Sequence, residues 1–318
     1  MPATICSTLI GPLTDEAFLR ALIDVSVVAV VAGIVGTFIV LRGSGFVGDA
    51  LAHAIFPGVV IAFLIGASLL WGALIAGLIT AALMALLTLN ARVRSDTAIG
   101  VVFTAAFAIG VIAISHETIE GEELEHILFG DPLNATWTDV VLTLVVGGAV
   151  AAAVLVLRRL FVVAAFDPVG ARAMGLHVIG LDVLLLALTA LTVVIAFKAV
   201  GNILVIALLI TPAASARLLT DRLLPMMGIA AAAGVAASIV GLYIGYYREV
   251  SVGGTIVLVS AAMFTSVWLA APRHGVISST LARRRAAGSD DSPEAEAEVI
   301  VASRGIREPH EASHEAQA

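Results

Sequence analysis

Residues Phe18–Leu41 read FLRALIDVSVVAVVAGIVGTFIVL, an almost continuous apolar run in which Arg20 and Asp24 are the only charged side chains. A helix needs about 20 apolar residues to cross the hydrocarbon core of a membrane, so this run predicts a transmembrane helix. Comparable runs follow as far as Ala271, and the sequence of 318 residues is 60% hydrophobic and 13% charged. Soluble domains carry about twice that charged fraction. The sequence therefore predicts a polytopic membrane protein.

The apolar runs predict an all-α bundle of about nine transmembrane helices, with eight as the lower count. The predicted spans are Phe18–Leu41, Val47–Leu70, Trp71–Leu89, Thr97–Ser115, Asp139–Leu157, Leu181–Lys198, Gly201–Leu218, Leu224–Tyr247 and Val252–Ala271. Glycine and proline interrupt the second and seventh runs. An interrupted helix is tolerated in a membrane where it lines a cavity or is buried in protein, so these two runs are the candidates for broken or re-entrant helices.

Basic residues are distributed unequally between the two sets of alternating loops. One set holds eight arginines, whereas the other holds three basic residues. The first set is Arg42, Arg92, Arg94, Arg158, Arg159, Arg172, Arg217 and Arg222, and the second is Arg20, Lys198 and Arg248. Because lysine and arginine accumulate in cytoplasmic loops, the N-terminus is predicted to lie outside and the C-terminus in the cytoplasm.

The sequence divides into three predicted parts. Residues 1–17 are an external N-terminal segment, residues 18–272 are the transmembrane domain, and residues 273–318 are a cytoplasmic tail. From about Ala286 the tail is dominated by Gly, Ser, Pro, Glu and Ala and has no hydrophobic period. Such a segment does not bury enough apolar surface to fold alone, so we expect the tail to be disordered.

Three residue types limit the functions that this chain can have. Cys6 is the only cysteine, which excludes an internal disulfide and a cysteine-based metal cluster. Lys198 is the only lysine and has no glycine loop before it, although a phosphate-binding loop requires both. We therefore expect no ATP hydrolysis by this chain, and if it is a transporter subunit driven by ATP, a separate ATPase subunit has to dock on its cytoplasmic face. Outside Arg283–Arg285 there is no clustered basic face, so no nucleic-acid partner is expected.

The segment Gly48-Asp49-Ala50-Leu51-Ala52-His53 carries the strongest local pattern for chemistry. Residues four apart on a helix lie on one face, so Asp49 and His53 can share one cation. Carboxylate oxygen and imidazole nitrogen suit manganese, iron or zinc better than copper(I). The alternative is an Asp–His hydrogen bond or a helix cap near the membrane surface.

Two further segments carry turn and kink residues. Asp167 followed by Pro168 predicts a capped helix start, and Gly175 predicts its end. This short cytoplasmic helix either fits a groove on another protein or is a plain connection. The second segment contains the candidate path-lining or kink residues Gly201, Thr211, Pro212 and Ser215, although most kinks in membrane helices are structural.

An acidic cluster occupies the predicted external loop between the fourth and fifth spans. Its candidate docking residues are Glu117, Glu120, Glu122, Glu123 and Glu125. Dense carboxylates concentrate cations and steer partners. A solvated acidic loop is the favoured interpretation, and a docking surface for an extracytoplasmic protein is the second.

Taken in order from about Phe18 to Ala271, these segments resemble the membrane permease of the metal-type ABC importers, the family that takes up zinc, manganese or ferrous iron. The matching segments are Leu41-Arg42, Gly48–Ala54, Pro57-Gly58, Asp96–Gly100, His126–Gly130, Asp167–Leu176, Val200-Gly201, Leu204–Arg217 and Gly254–Leu258. Each segment is weak by itself, and the colinear set is specific. The resemblance implies a helical bundle like that of type II ABC importers, in the cell membrane of a bacterium.

The resemblance also implies roles and partners. Asp49 and His53 look like the transmembrane coordination pair for the transported Mn²⁺, Zn²⁺ or Fe²⁺, with no permanently bound cofactor. The residues of the implied coupling helix, which would contact the ATPase, are Asp167, Pro168, Ala171, Arg172 and Gly175. The implied partners are a cytoplasmic ATP-binding subunit, an extracytoplasmic metal-binding protein and a second permease copy or a paralogue.

Two rival functions stay open on the sequence. A permease for an iron chelate or corrinoid would favour a wide, aromatic-lined path, but only 6% of the residues are aromatic and the predicted spans show no aromatic stripe. An ion-coupled secondary transporter would favour two inverted halves with matched broken helices, and the sequence shows no convincing internal repeat.

Overall fold

The computed structural model describes residues 11–88, 95–115 and 132–271, and all regular secondary structure in these ranges is helical. The helices are α1 (Glu16–Leu41), α2 (Phe46–Ala54), α3 (Phe56–Leu64), α4 (Leu69–Thr88), α5 (Ser95–Ile114), α6 (Trp137–Phe166), α7 (Pro168–Ala173), α8 (Val178–Val200), α9 (Asn202–Leu219), α10 (Leu223–Arg248) and α11 (Val252–Ala270). Two short 3₁₀ turns, Gly11–Thr14 and Pro132–Asn134, precede α1 and α6. The chain divides into two units, Met1–Val267 and Trp268–Ala318. Of the second unit, only the last turn of α11 and Ala271 are described.

The helices are long enough for a membrane bundle. Within the described ranges, eight helices have the length and apolar composition to cross a membrane, with α2 and α3 counted together as Phe46–Leu64. The apolar stretch Leu204–Leu219 of α9 is shorter. The predicted all-α polytopic fold with eight to nine spans is therefore confirmed.

Helix α1 is the centre of the bundle. It packs against α6, α8, α9 and α10, and most of its side chains between Val25 and Ile39 are buried. Close packing here depends on Gly36, because a Cβ atom at this position would collide with the backbone carbonyl oxygen of Leu209 in α9. In a membrane, small residues let helix backbones approach closely enough for van der Waals contact to hold them together.

The second predicted span is interrupted, as the sequence indicated. Helices α2 and α3 are separated at Ile55, just before Pro57, which has no amide hydrogen to continue the ladder of i to i−4 hydrogen bonds. Helix α9, in contrast, continues through Pro212 without an end. The two candidates for broken helices therefore differ: the first is broken, and the second is a continuous short helix that begins at the Gly201 turn.

Helix α6 is longer than the span predicted from the sequence. The prediction ended at Leu157 because Arg158 and Arg159 end the apolar run, but the helix continues to Phe166. Arginine is a good helix former, and Arg158 Nη1 donates to the carbonyl oxygen of Leu155 at 2.7 Å. Residues 160–166 are apolar again, so the two arginines interrupt the apolar run without ending the helix.

Contacts between helix ends show that α1 and α6 begin at the end of the bundle at which α8 and α10 end. At one end of the bundle the contacts are Trp137 Nε1 to Glu16 Oε1 (2.6 Å), Tyr246 Oη to Asp15 Oδ2 (3.3 Å) and Lys198 to Asp139. At the other end, Arg42 Nη1 lies 2.8 Å from Asp182 Oδ1. These ends are the ones that the distribution of arginines predicts to be external and cytoplasmic, respectively. Which end faces the cytoplasm stays a prediction.

Replacing Gly36 with alanine should destabilise the bundle, because the new methyl group would have to displace the backbone of α9. Overpacking of this kind costs about 1–3 kcal/mol. We expect a lower unfolding temperature for Gly36→Ala in detergent, measured by a thermal shift of the purified protein. Gly148→Ala in α6 is the matched control, since its added Cβ meets no atom within 4 Å and alanine favours a helix. Equal unfolding temperatures in the two variants would contradict the packing argument.

Candidate functional site

Asp49 and His53 lie one helical turn apart on α2. The distance from His53 Nε2 to Asp49 Oδ1 is 3.5 Å, and the side chains are 33% exposed for His53 and 25% exposed for Asp49. The pair is therefore neither sealed in the protein core nor projected fully away from it.

The pair belongs to one narrow stripe of α2 and the start of α3. Phe46, Asp49, His53 and Phe56 are exposed or half-buried, whereas the other side chains of α2 are buried. The buried face includes Gly48, where an added Cβ would collide with the side chain of Leu209. Spacings of three and four residues keep the stripe on one side of the helix, so the packing of α2 fixes the direction in which Asp49 and His53 point.

Aromatic rings from α5 border this stripe. The ring centre of His53 lies 5.5 Å from that of Phe103 and 6.1 Å from that of Phe107. Phe103 also contacts Phe46 at 6.4 Å, and Phe107 contacts Phe56 at 5.7 Å. The expectation that the spans carry no aromatic stripe is therefore wrong at this wall of Phe103 and Phe107. The available signal was the i, i+4 spacing of Phe103 and Phe107 inside one predicted span.

The geometry of the pair is suited to holding a divalent cation between the two side chains. Metal–oxygen and metal–nitrogen distances of roughly 2.1 Å and the observed separation of 3.5 Å correspond to an angle of about 110° at a shared ion. Throughout the described parts of the chain there is no group of three or more His, Cys, Asp or Glu side chains that could hold a metal ion. Among the described residues the pair therefore offers two ligands for an ion.

The predicted short cytoplasmic helix is present as α7. The carboxylate of Asp167 accepts a hydrogen bond from the amide of Gly170 at 2.8 Å, Pro168 is the first helical residue, and Gly175 has a positive φ of 79°. Arg172 lies on the surface. The capped start and the glycine stop are therefore both present, and the coupling role of these residues stays a prediction.

Helix α7 is anchored on one side and exposes apolar side chains on the other. Ala171 is fully buried and clusters with Ala164 and Val178. The side chains of Val169 and Met174 are 74% and 64% exposed. Val169 and Met174 therefore form an exposed apolar side of α7, opposite its buried anchor.

The four candidate path-lining or kink residues lie in and before α9. Gly201 has a φ of 79° and forms the turn between α8 and α9. Pro212 is buried, Thr211 is half-buried, and the buried hydroxyl of Ser215 donates to the Thr211 carbonyl oxygen at 2.8 Å. The turn is established, whereas a path-lining role for this set stays a prediction.

Other predicted segments fall outside the described residues. These are the acidic docking candidates Glu117, Glu120, Glu122, Glu123 and Glu125, the first ten residues of the N-terminal segment, and the tail 273–318.

The sequence of this bundle matches a known protein family. The family model described as the ABC 3 transport family matches residues 14–271. The chain belongs to this family. The match includes every described helix, so the site on α2 and the capped helix α7 both lie inside the shared region.

Relatives of this ABC 3 family member carry metal-transport names. The manganese transport system membrane protein MntC of Halalkalibacterium halodurans is 43% identical over 258 residues, which are 81% of this chain and 88% of that protein. A probable iron transport system membrane protein of Haemophilus influenzae is 36% identical over 256 residues, which are 80% of this chain and 94% of that protein. The solved structure of PsaBC from Streptococcus pneumoniae in complex with Fab matches with a TM-score of 0.75 and 38% identity, covering 86% of this chain and 98% of that chain.

Substitutions at Asp167 test whether its side chain stabilises α7 as a helix cap in this ABC 3 family member. Asp167→Ala should destabilise α7 by about 1 kcal/mol, because the amide of Gly170 loses its acceptor. We expect faster hydrogen exchange of the amides of residues 171–174, measured by mass spectrometry on the intact protein. Asp167→Asn is the matched control, since asparagine caps a helix as well as aspartate does. Equally fast exchange in both variants would show that the charge, and not the cap, stabilises α7.

Proposed function

We propose that this chain is the membrane-spanning permease subunit of an ATP-driven importer for manganese. The observation that carries the proposal is the Asp49–His53 pair, which is partly exposed on a membrane-spanning helix at a separation of 3.5 Å that suits a shared divalent cation. Oxygen and imidazole nitrogen ligands suit manganese. The relative named as a manganese transport protein, 43% identical over most of both chains, supports this choice of metal.

The pair faces a polar route in this proposal. A charged side chain at the centre of a bilayer costs about 2.5–3.5 kcal/mol on insertion scales, and intramembrane charges usually face a cavity or a partner. Two chains placed with the stripes of α2 towards each other would supply two carboxylates and two imidazoles. The permease therefore works as a pair, formed by a second copy or by a paralogue. Affinity at such a site has to stay modest, because the ion must also leave.

Energy comes from a separate ATPase subunit on the cytoplasmic side. This chain has a single lysine, Lys198, outside any phosphate-binding loop. Helix α7 has the form of a docking element, since it combines the buried anchor Ala171 with the exposed side chains of Val169 and Met174. This helix contains Pro168 and Arg172 and is flanked by Asp167 and Gly175. Its movement on ATP binding is the step that switches access to the site.

An extracytoplasmic metal-binding protein delivers the ion at the opposite end. In this orientation the N-terminus is external, the C-terminus is cytoplasmic, and the acidic loop of Glu117–Glu125 lies on the external side. Its carboxylates raise the local concentration of cations and provide a charged surface for docking. The helix that packs behind α2, where Leu209 meets Gly48, begins after Gly201 and contains Thr211, Pro212 and Ser215.

Ferrous iron is the second candidate cargo. A relative named as a probable iron transport protein is 36% identical over 94% of its own length, and a carboxylate with an imidazole serves iron and zinc as well as manganese. Uptake of labelled manganese in competition with ferrous iron and zinc, in vesicles that contain the full complex, separates these cargoes.

Asp49→Ala should abolish most metal uptake and leave the complex assembled. Loss even of a group that supports a metal ligand typically costs 10–100-fold in metal affinity, so we expect uptake of labelled manganese to fall by about tenfold or more. His53→Ala should have the same effect. Thr265→Val is the control, since the Thr265 hydroxyl is exposed and bonded only to its own helix, at the carbonyl of Ala261.

The assay uses vesicles with the permease, its ATPase and its binding protein, and complex yield is measured by size-exclusion chromatography. Unchanged uptake in Asp49→Ala at normal complex yield would remove the pair from the transport mechanism. ATP-independent uptake by the permease without partners would instead favour an ion-coupled secondary transporter.

A further inference from the structure

An ion pair joins the end of α1 to the beginning of α8. Arg42 Nη1 lies 2.8 Å from Asp182 Oδ1, and the Arg42 side chain is only 18% exposed. Arg42 caps the C-terminus of α1 and is followed by the short connection Gly43–Gly45, after which α2 begins. The pair therefore links α8 to the connection that leads directly into the helix of Asp49.

Among the described residues, the Arg42 guanidinium is bound through one nitrogen, Nη1, which contacts Asp182. Its Nε and Nη2 atoms are buried and have no hydrogen-bond partner among the described residues. Beside it is a cavity of about 160 Å³, lined among others by Ser44, Thr88 and Thr189. A water molecule occupies about 30 Å³ in the liquid, so this space accommodates several waters or a different position of the guanidinium. Arg42 thus combines one firm contact with room to rearrange.

A continuous set of packed groups runs from α7 to this ion pair. Ala171 of α7 is buried against Val178, the first residue of α8, and Leu181 packs on the same cluster. Asp182, the next residue, holds Arg42. These contacts form a continuous route along which a displacement of α7 would reach the first turn of α8 and then Arg42.

The connection after Arg42 is short, and its backbone is hydrogen-bonded to the helices on both sides. The amide of Ser44 donates to the carbonyl oxygen of Ile39 in α1 at 3.1 Å, and the amide of Val47 in α2 donates to the carbonyl oxygen of Ser44 at 2.9 Å. Arg42 is therefore linked to the first turn of α2 through a connection that is held at both ends.

We infer that the Arg42–Asp182 ion pair is the positioning contact that transmits movement of α7 to α2 and so to the metal pair Asp49–His53. This inference rests on the proposed function, since it assigns the pair to the coupling of ATP use and transport. It concerns residues that do not touch the ion.

A second ion pair in the same part of the molecule provides a matched control. Arg217 and Asp221 lie 3.1 Å apart, with side chains that are 45% and 56% exposed. They are four residues apart in sequence, at the end of α9. Neutralising Asp221 removes a local ion pair of the same chemistry without touching the route from α7 to α2.

The first experiment measures manganese transported per ATP hydrolysed, with the full complex in vesicles. Asp182→Asn should keep ATP hydrolysis and reduce this ratio by about fivefold or more, the lower range of typical coupling between sites. Asp221→Asn should leave the ratio unchanged. The reversed pair, Arg42→Asp with Asp182→Arg, should recover at least half of the loss. The inference is overturned if Asp182→Asn keeps the wild-type ratio, or if hydrolysis and uptake fall in parallel.

A second experiment does not depend on the cargo. A single cysteine is placed by Gly45→Cys in a Cys6→Ser background, and its rate of reaction with a membrane-impermeant maleimide is compared with and without trapped nucleotide. Nucleotide should change the rate in the wild-type pair and not in Asp182→Asn, whereas an equal change in both would overturn the inference. If nucleotide acts through Asp182 but manganese is not taken up, the proposed cargo fails and the inference stands. If manganese is taken up but Asp182 has no effect on labelling, the inference fails and the proposed function stands.

Discussion

The structure depends on the position of Leu209, which is in contact with two glycines of different helices. Its carbonyl oxygen occupies the space in which a side chain at Gly36 would lie, and its side chain occupies the corresponding space at Gly48. The first contact holds α9 against the central helix α1, and the second holds α2 against α9. Since van der Waals contact between small residues is a main source of helix association in membranes, this arrangement fixes the rotation of α2. Asp49 and His53 point away from the core as a consequence.

Hydropathy predicts the spans well because the thickness of the membrane sets a minimum length for an apolar helix. The run Phe18–Leu41 differs from α1 by two residues at its start, where Asp15 accepts the amide of Ala17 and caps the helix. Hydropathy fails for the end of α6, because Arg158 and Arg159 end the apolar run without ending the helix. A break in apolar sequence therefore does not by itself end a helix.

The candidate site could be predicted in part. Asp49 and His53 are four residues apart, so helical periodicity places them together before any tertiary structure is known. The aromatic wall of Phe103 and Phe107 comes from another helix, about fifty residues along the chain. Its distance from His53 is set by how α5 packs on α2, which periodicity does not encode. The Arg42–Asp182 contact has the same origin, since the two residues are far apart in sequence and meet only in the folded bundle.

The differences in packing explain how one small segment can serve a transport site. Helix α2 has nine residues and lies between the short connection Gly43–Gly45 and the interruption at Ile55. Its inner face packs on Leu209 and its other face on the phenylalanines of α5, so it is a short segment between two longer helices that it can move against. A site that must bind an ion in one state and release it in another needs such a segment, because interiors packed to high density do not deform gradually. The close contact at Gly36 and the short length of α2 are therefore complementary: the first preserves the bundle, while the second lets Asp49 and His53 change their surroundings in the proposed transport.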